Sequence, residues 1–285
     1  MFWRKLLNLI FYSNLWIALA AAAMVMQTQY LLTLRWEWTT YTSFVFTATL
    51  CLYALHRLVA VRKVAPFREQ GRFQVIWQYR THIVWYAAAA GLASLYFFVQ
   101  LPMRLWVQLW IPCVIALLYV LPAFGKGRRL RDLNYIKIFL VAITWTWLTA
   151  ILPATLAGRW LSLPALLLAL ERVFFIFAIT VPFDIRDLQI DAHTRVHTLP
   201  GRFGTRAAKR MAYVSLALML LAAFANVYID AYPLPVFSVL SGVAVLSAFC
   251  VAYSDQTDKD YFFTGLIDGT MILQCVLIAG MSQLG

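Results

Sequence analysis

The strongest indication of the fold comes from residues 161–204, which read LSLPALLLALERVFFIFAITVPFDIRDLQIDAHTRVHTLPGRFG. Residues 161–182 form an apolar run, long enough to cross the roughly 30 Å hydrocarbon core of a bilayer as a helix of about 20 residues. Asp184, Asp187 and Asp191 follow this run directly. The stretch therefore predicts a membrane-spanning helix that ends in a cluster of acids.

Eight further apolar runs of similar length cover most of the chain. They lie at about 7–27, 39–56, 82–100, 104–122, 135–154, 208–228, 233–252 and 261–281. Of the 285 residues, 63% are hydrophobic and 13% are charged, against roughly 45–50% and about 25% in ordinary soluble domains. This composition excludes a soluble globular domain. We predict an all-α polytopic membrane protein with about nine transmembrane helices, forming a single domain over residues 1–285.

The basic residues predict how these helices are oriented. Of the 24 Lys and Arg residues, 20 lie at the N-terminus and in the loops after every second span, whereas the opposite side carries Arg35, Arg104 and Arg159, and Arg172 lies within the sixth span. The positive-inside rule then places the N-terminus in the cytoplasm and the C-terminus outside, in a plasma membrane of the bacterial inner-membrane type. The basic loops would also attract anionic membrane lipids. Their spread over several loops, without an aromatic array that could stack bases, argues against a nucleic-acid partner.

The three aspartates after residue 182 are the most informative acids. On one continuous helix, at about 100° per residue, Asp184, Asp187 and Asp191 fall within an arc of about 60°. Like charges on one face repel, so a cation must lie opposite them. Mg²⁺ is one candidate, since it takes carboxylate ligands together with water and substrate phosphate. Neutralisation by Arg195, Arg202 and Arg206 is the other.

Five more acids receive structural expectations. Glu171 and Asp268 fall inside predicted helices, where an ionised group is costly, so each is expected to pair with another span. Asp255, Asp258 and Asp260 are expected in a solvated loop.

The run DIRDLQIDAHTRVHTLPGRFG, residues 184–204, resembles the second aspartate-rich motif of the UbiA superfamily of intramembrane prenyltransferases. The resemblance implies a UbiA-like helical bundle, in which Mg²⁺ held by Asp184, Asp187 and Asp191 assists departure of the diphosphate from a polyprenyl diphosphate. A lipid-like acceptor would then capture the isoprenoid. The run RDLNYIK, residues 131–137, resembles the basic start of the fifth helix in that family, which would make Lys137 and Arg131 diphosphate ligands.

The sequence departs from that family at its first aspartate-rich motif. The corresponding run, CLYALHRLVAVRK at residues 51–63, contains neither Asp nor Asn. Tyr53, His56 and Arg57 stand there instead, within an arc of about 100°. In one interpretation, Arg57 with His56, and Tyr53 beside them, binds the diphosphate directly, and the second motif alone holds a metal. In the other, Arg57 forms an ion pair with the second-motif aspartates and closes the site to metal.

Three functions follow from these patterns. The first is an Mg²⁺-dependent prenyltransferase that acts on a polyprenyl diphosphate. The second is a non-catalytic UbiA-like protein that binds a lipid or serves as an accessory subunit. The third, a transporter, is disfavoured because no inverted repeat is evident.

Overall fold

The structure is a computed structural model that describes residues 11, 13–63, 77–121, 130, 135–193 and 196–283. Within these residues it is helical throughout, without strands. In chain order the helices are α1 Leu15–Thr33, α2 Thr40–Lys63, α3 Arg80–Val99, α4 Met103–Val120, α5 Ile136–Leu156, α6 Leu163–Arg186, α7 Leu188–His193, α8 Leu199–Phe203, α9 Thr205–Tyr228, α10 Leu234–Tyr253 and α11 Tyr261–Ser282. All except the short α7 and α8 are long and apolar enough to cross a membrane, so in this part of the chain the predicted all-α fold with nine spans is confirmed.

The first span lies further along the chain than its apolar run suggested. α1 begins after Asn14, whose φ of 66° is left-handed, and it continues to Thr33. The apolar run predicted from the sequence ends at Gln27, and the polar Thr28 follows it. In the fold both are buried: Thr28 donates to the carbonyl of Thr149, and Gln27 lies 3.4 Å from Gln274. Polar partners inside the bundle thus extend a helix that hydropathy alone would end.

Helix α6 is central to the bundle and packs against α5, α9 and α10. Its buried face carries Leu168, Phe175, Ile179 and Val181, which belong to the main hydrophobic core. By contrast, α3 and α4 expose large apolar side chains outward, as a surface that faces lipid requires. The centre of the molecule therefore holds the C-terminal end of α6 in place, and with it Asp184 and Asp187.

Two π-helical turns supply hydrogen-bond acceptors inside the bundle. Residues Trp147–Ile151 form one within α5, and Tyr261–Ile267 form the other at the start of α11. A π turn displaces backbone carbonyls from their ordinary partners. The hydroxyl of Tyr41 donates to Leu148 O over 2.6 Å, and the indole of Trp16 donates to Gly265 O over 3.1 Å. The two turns thereby link α5 to α2, and α11 to α1.

Candidate functional site

The site lies where α6 ends, which we call the aspartate end of the bundle. Helix α6 ends at Arg186, Asp187 is its C-cap residue, and α7 starts at Leu188. The expectation of one continuous helix through all three aspartates is therefore wrong. Because helical geometry is interrupted at Asp187, where φ is −88° and ψ is 7°, the angular argument does not extend to Asp191. The three carboxylates divide between two clusters.

The first cluster, the lysine cluster, consists of Lys137, Asp184 and Asp191. Lys137 Nζ lies 2.6 Å from Asp184 Oδ1 and 3.6 Å from Asp191 Oδ2. All three residues are buried, with 8%, 1% and 6% of their surfaces exposed. A buried carboxylate needs a close cation to offset the loss of its hydration. One ammonium group therefore provides the charge that holds two segments of the second motif together.

The backbone at Tyr135 directs Lys137 towards the aspartates. Tyr135 precedes α5 and has a φ of 63°, a strained conformation for a residue other than glycine. Its N–H donates to His197 O over 2.8 Å, and the guanidinium of Arg202 lies 5.0 Å from the centre of its ring. These contacts tie the start of α5 to the segment that follows Asp191. The strained turn before Lys137 is thus held by the segment that follows Asp191, and Asp191 is one of the two acids that Lys137 contacts.

The second cluster, the arginine cluster, consists of Arg186, Asp187 and Asp260. Arg186 Nε lies 2.9 Å from Asp187 Oδ1, and its Nη1 lies 3.6 Å from Asp260 Oδ1. The guanidinium also lies over the rings of Phe183 and Phe263, at 5.2 and 4.8 Å from their centres. The expectation of a solvated loop is wrong for Asp260, because its side chain is only 16% exposed and pairs with Arg186.

The other two members of that acidic group lie at the surface, as expected. Asp255 is exposed and forms a 2.6 Å ion pair with Lys209, and Asp258 is exposed as well.

The cations expected to neutralise the aspartates are not the ones found in the described part of the chain. Arg202 lies over aromatic rings, Arg206 is exposed, and Arg195 falls outside the described residues. Sequence reasoning missed Arg186 as a partner, although it directly precedes Asp187. A helical wheel separates such neighbours by about 100°. At the end of a helix this angle no longer applies, because the residues beyond the end do not follow helical geometry.

The residues that stand in place of the first aspartate-rich motif divide between two directions. Tyr53 and His56 line a cavity of about 120 Å³ between α2, α4 and α5, where the ring centres of His56 and Tyr119 lie 6.1 Å apart. Arg57 donates from Nη2 to Phe11 O over 3.3 Å, and Phe11 lies just before α1. The structure therefore brings Tyr53 and His56 together at the cavity and directs Arg57 towards the residue that precedes α1.

The cavity and the lysine cluster share a face of α5. Leu140 and Val141 line the cavity, and Lys137 precedes them by three and four residues, which is one helical turn. The aspartate end thus combines a buried ion cluster with an adjacent, mostly apolar cavity. Arg131, the other predicted diphosphate ligand, lies outside the described residues.

Glu171 and Arg172 form a separate polar network deeper in the bundle. Tyr232, between α9 and α10, donates its hydroxyl to Glu171 Oε2 over 3.3 Å, so this partner of Glu171 lies between two spans and not within another span as expected. Burial raises the pKa of Tyr232 well above its usual value, and the adjacent Glu171 raises that pKa further.

Arg172, which sequence reasoning left without a role, is 1% exposed. It donates to Met24 O and to the hydroxyls of Thr149 and Thr28 over 3.1 to 3.3 Å. The signal in the sequence was the position of an arginine within an apolar run, because a charged side chain there requires polar partners inside the bundle.

Comparisons with known proteins give a match in structure only. No family model and no curated protein matches the sequence. A ligand-free UbiA homologue from Aeropyrum pernix K1 superposes with a TM-score of 0.64 at 11% identity, covering 95% of this chain and 97% of that one. A UbiA homologue from Archaeoglobus fulgidus bound to GPP and Mg²⁺ gives a TM-score of 0.60 at 12% identity, covering 94% and 99%.

A third structure, described as digeranylgeranylglyceryl phosphate synthase in membranes, gives a TM-score of 0.57 at 10% identity, covering 96% of this chain and 98% of that one. The likeness extends over nearly the whole length of each chain. The resemblance predicted from residues 184–204 is thus confirmed at the level of the fold, and the chain has the fold of the UbiA homologues.

Proposed function

We propose that the protein is a prenyltransferase-like membrane protein that binds a polyprenyl diphosphate at the aspartate end and transfers its isoprenoid group to a lipid-like acceptor. The observation that carries this proposal is the buried convergence of Asp184 and Asp191 on Lys137, beside an apolar cavity. A UbiA homologue of the same fold was solved with GPP, an isoprenoid diphosphate.

The cavity supports an isoprenoid ligand by its size and lining. Its volume of about 120 Å³ is close to the ~150 Å³ of an apolar protein cavity that binds benzene. It therefore holds about one five-carbon isoprene unit, and the rest of a longer chain would extend along the apolar helices into the bilayer. The polar side chains of Tyr53 and His56 would then meet the diphosphate end of the ligand.

The described side chains do not fit the magnesium site that the resemblance implies. Among them, no three His, Cys, Asp or Glu side chains are grouped to hold a metal ion. Asp184 and Asp191 already contact the ammonium of Lys137, and Asp187 contacts Arg186. The run at residues 51–63 adds no acid. No step of the proposed reaction is therefore assigned to a metal ion.

The chain's own cations would stabilise the leaving diphosphate. Departure breaks the bond between the allylic carbon and oxygen, leaves a carbocation on the isoprenoid and places the electron pair on the diphosphate. Fixed positive groups in a site without water stabilise such developing charge. His56 on α2 and Lys137 on α5 are the proposed diphosphate ligands beside the cavity. Arg57, which donates to Phe11 O, would turn towards the cavity to join them, and Arg131, outside the described residues, stays a predicted ligand. Asp184 and Asp191 would act as positioning residues by holding Lys137.

A second candidate function is lipid binding without chemistry, as a non-catalytic or accessory protein. The pairing of Asp184 and Asp191 with Lys137 favours it, because neutralised aspartates are less available to a substrate complex. In this case the isoprenoid would occupy the cavity, and no bond would break.

Radiolabelled geranylgeranyl or farnesyl diphosphate separates the two candidates. The purified protein in lipid nanodiscs would be incubated with each compound and with bacterial membrane lipids as acceptors, followed by assays of bound label and of released pyrophosphate. We expect both binding and release for the wild type, with release reduced in Asp184→Asn and binding reduced in Arg57→Gln. Asp258→Asn and Arg210→Gln, at exposed positions, are the matched controls. Binding without release would establish the accessory function, and absence of both would refute the proposal.

The proposed substrate also requires an orientation in the membrane. We propose that the aspartate end faces the cytoplasm of a bacterial-type plasma membrane, where soluble diphosphates are available. Cysteine labelling from either side of intact cells, at a residue placed in the loop of Asp258 and at one placed beside Arg159, tests this orientation.

A further inference from the structure

The most unusual feature of the aspartate end is a lysine located between two carboxylates that belong to different helices. Asp184 lies on α6, Asp191 on α7 and Lys137 on α5. The ammonium contacts both acids, at 2.6 and 3.6 Å, in a place where all three side chains are buried. Two carboxylates that converge on one buried point are the arrangement that proteins also use for a divalent cation.

Helix electrostatics oppose the placement of Lys137 and of Asp184 unless these two charges are paired. Lys137 lies in the first turn of α5, where the positive end of the helix dipole disfavours a cation. Asp184 lies in the last turn of α6, where the negative end disfavours an anion. The ion pair between Lys137 and Asp184 therefore offsets two placements, each of which is unfavourable by itself.

A divalent ion and this ammonium exclude one another. Mg²⁺ requires oxygen ligands at about 2.0–2.1 Å in octahedral geometry, so an ion bound by both Asp184 and Asp191 would occupy the position of Lys137 Nζ. The nearby residues of α2 that line the cavity, Tyr53 and His56, supply no carboxylate that could create a second position.

We propose that Lys137 is a resident cation that takes the place of a divalent metal at the aspartate end, so that the fold of this end does not depend on Mg²⁺. Removal of the lysine would leave two buried carboxylates with one shared, vacated position. That position would then bind Mg²⁺, and the metal would restore the stability that the lysine had provided. The inference concerns the protein without substrate and is therefore independent of the proposed prenyl transfer.

Thermal unfolding in detergent, with EDTA or with saturating Mg²⁺, tests this proposal. We expect the midpoint of the wild type and of Lys137→Arg to be the same in both conditions. Lys137→Ala should unfold at a lower temperature in EDTA, and Mg²⁺ at about 100 times its Kd should raise its midpoint by roughly 5–10 °C. The double variant Lys137→Ala/Asp184→Asn should lose this response, because one of the two carboxylates is gone.

Two results would overturn the proposal. One is stabilisation of the wild type by Mg²⁺ that Asp184→Asn abolishes, since the metal would then bind beside the lysine. The other is a Lys137→Ala protein that ignores Mg²⁺. Should Lys137→Ala fail to fold in EDTA, its purification with and without Mg²⁺ gives the same information: recovery with Mg²⁺ alone supports the proposal, and equal loss in both contradicts it.

Discussion

Replacement of Lys137 by methionine is the perturbation that most directly tests the electrostatics of the aspartate end. Methionine is unbranched like lysine and only one heavy atom shorter, and it removes the charge. At an effective dielectric constant of about 20, unit charges separated by 2.6 Å attract by about 6 kcal/mol, and those at 3.6 Å by about 5 kcal/mol. Desolvation of the three groups offsets much of this attraction. The net cost of leaving buried carboxylates without their cation is about 3–5 kcal/mol.

The same geometry predicts an order among related variants. Asp184→Asn should cost less than Lys137→Met, because Lys137 keeps its contact with Asp191, and Asp191→Asn should cost less again because its contact is longer. Replacement of both aspartates takes both carboxylates away from the buried ammonium and should be as harmful as Lys137→Met. The triple variant Lys137→Met/Asp184→Asn/Asp191→Asn should recover most of the loss, since an uncharged set of similar volume avoids the cost of desolvating charges.

Thermal unfolding in detergent, followed by the helical circular dichroism signal, measures these differences. A loss of 3–5 kcal/mol corresponds to a decrease of about 10 °C in the midpoint for a chain of this size. Arg210→Met, at an exposed position, is the control and should leave the midpoint unchanged. A Lys137→Met protein as stable as the wild type, or a triple variant no better than Lys137→Met, would refute the reasoning.

Three further predictions concern other parts of the bundle. Arg186→Gln removes the cation that pairs with Asp187 and Asp260, so it should lower the free energy of unfolding by about 1–3 kcal/mol, whereas Arg210→Gln should leave it unchanged. Equal stability of these two variants would contradict the arginine cluster. Arg172→Lys should be destabilised nearly as much as Arg172→Leu, because one ammonium cannot replace a planar guanidinium that bridges Met24 O, Thr28 and Thr149; full stability of the lysine variant in thermal unfolding would argue against that network. The raised pKa of Tyr232 stabilises the fold below the ordinary tyrosine pKa of about 10, and this contribution is lost as pH rises above 10, so unfolding midpoints between pH 8.5 and 11 should decrease more steeply in the wild type than in Tyr232→Phe.

The helices could be predicted from the sequence because their signal is local. An apolar run of about 20 residues has one stable arrangement in a bilayer, where every backbone group must be hydrogen-bonded within its own segment. The exception has a cause that is not local: Gln27 and Thr28 are buried because they have partners on α11 and α5, and a hydropathy window along the chain does not register such contacts.

The candidate site was predictable in its residues but not in its pairings. Asp184, Asp187, Asp191 and Lys137 were all identified from their motifs, and the structure places all four at the aspartate end. The division into a lysine cluster and an arginine cluster depends on the end of α6 at Arg186, one residue before Asp187. A helix end changes the direction of every side chain that follows it, and the sequence offered no clear stop signal there.

The sequence by itself determined that this chain forms apolar helices and that a group of acids follows the sixth, because both properties belong to contiguous residues. Which cation pairs with which acid depends on the tertiary structure. Lys137 reaches Asp184 across 47 positions of the chain, and contacts over such separations arise from packing of helices, which a linear pattern of residue types does not specify.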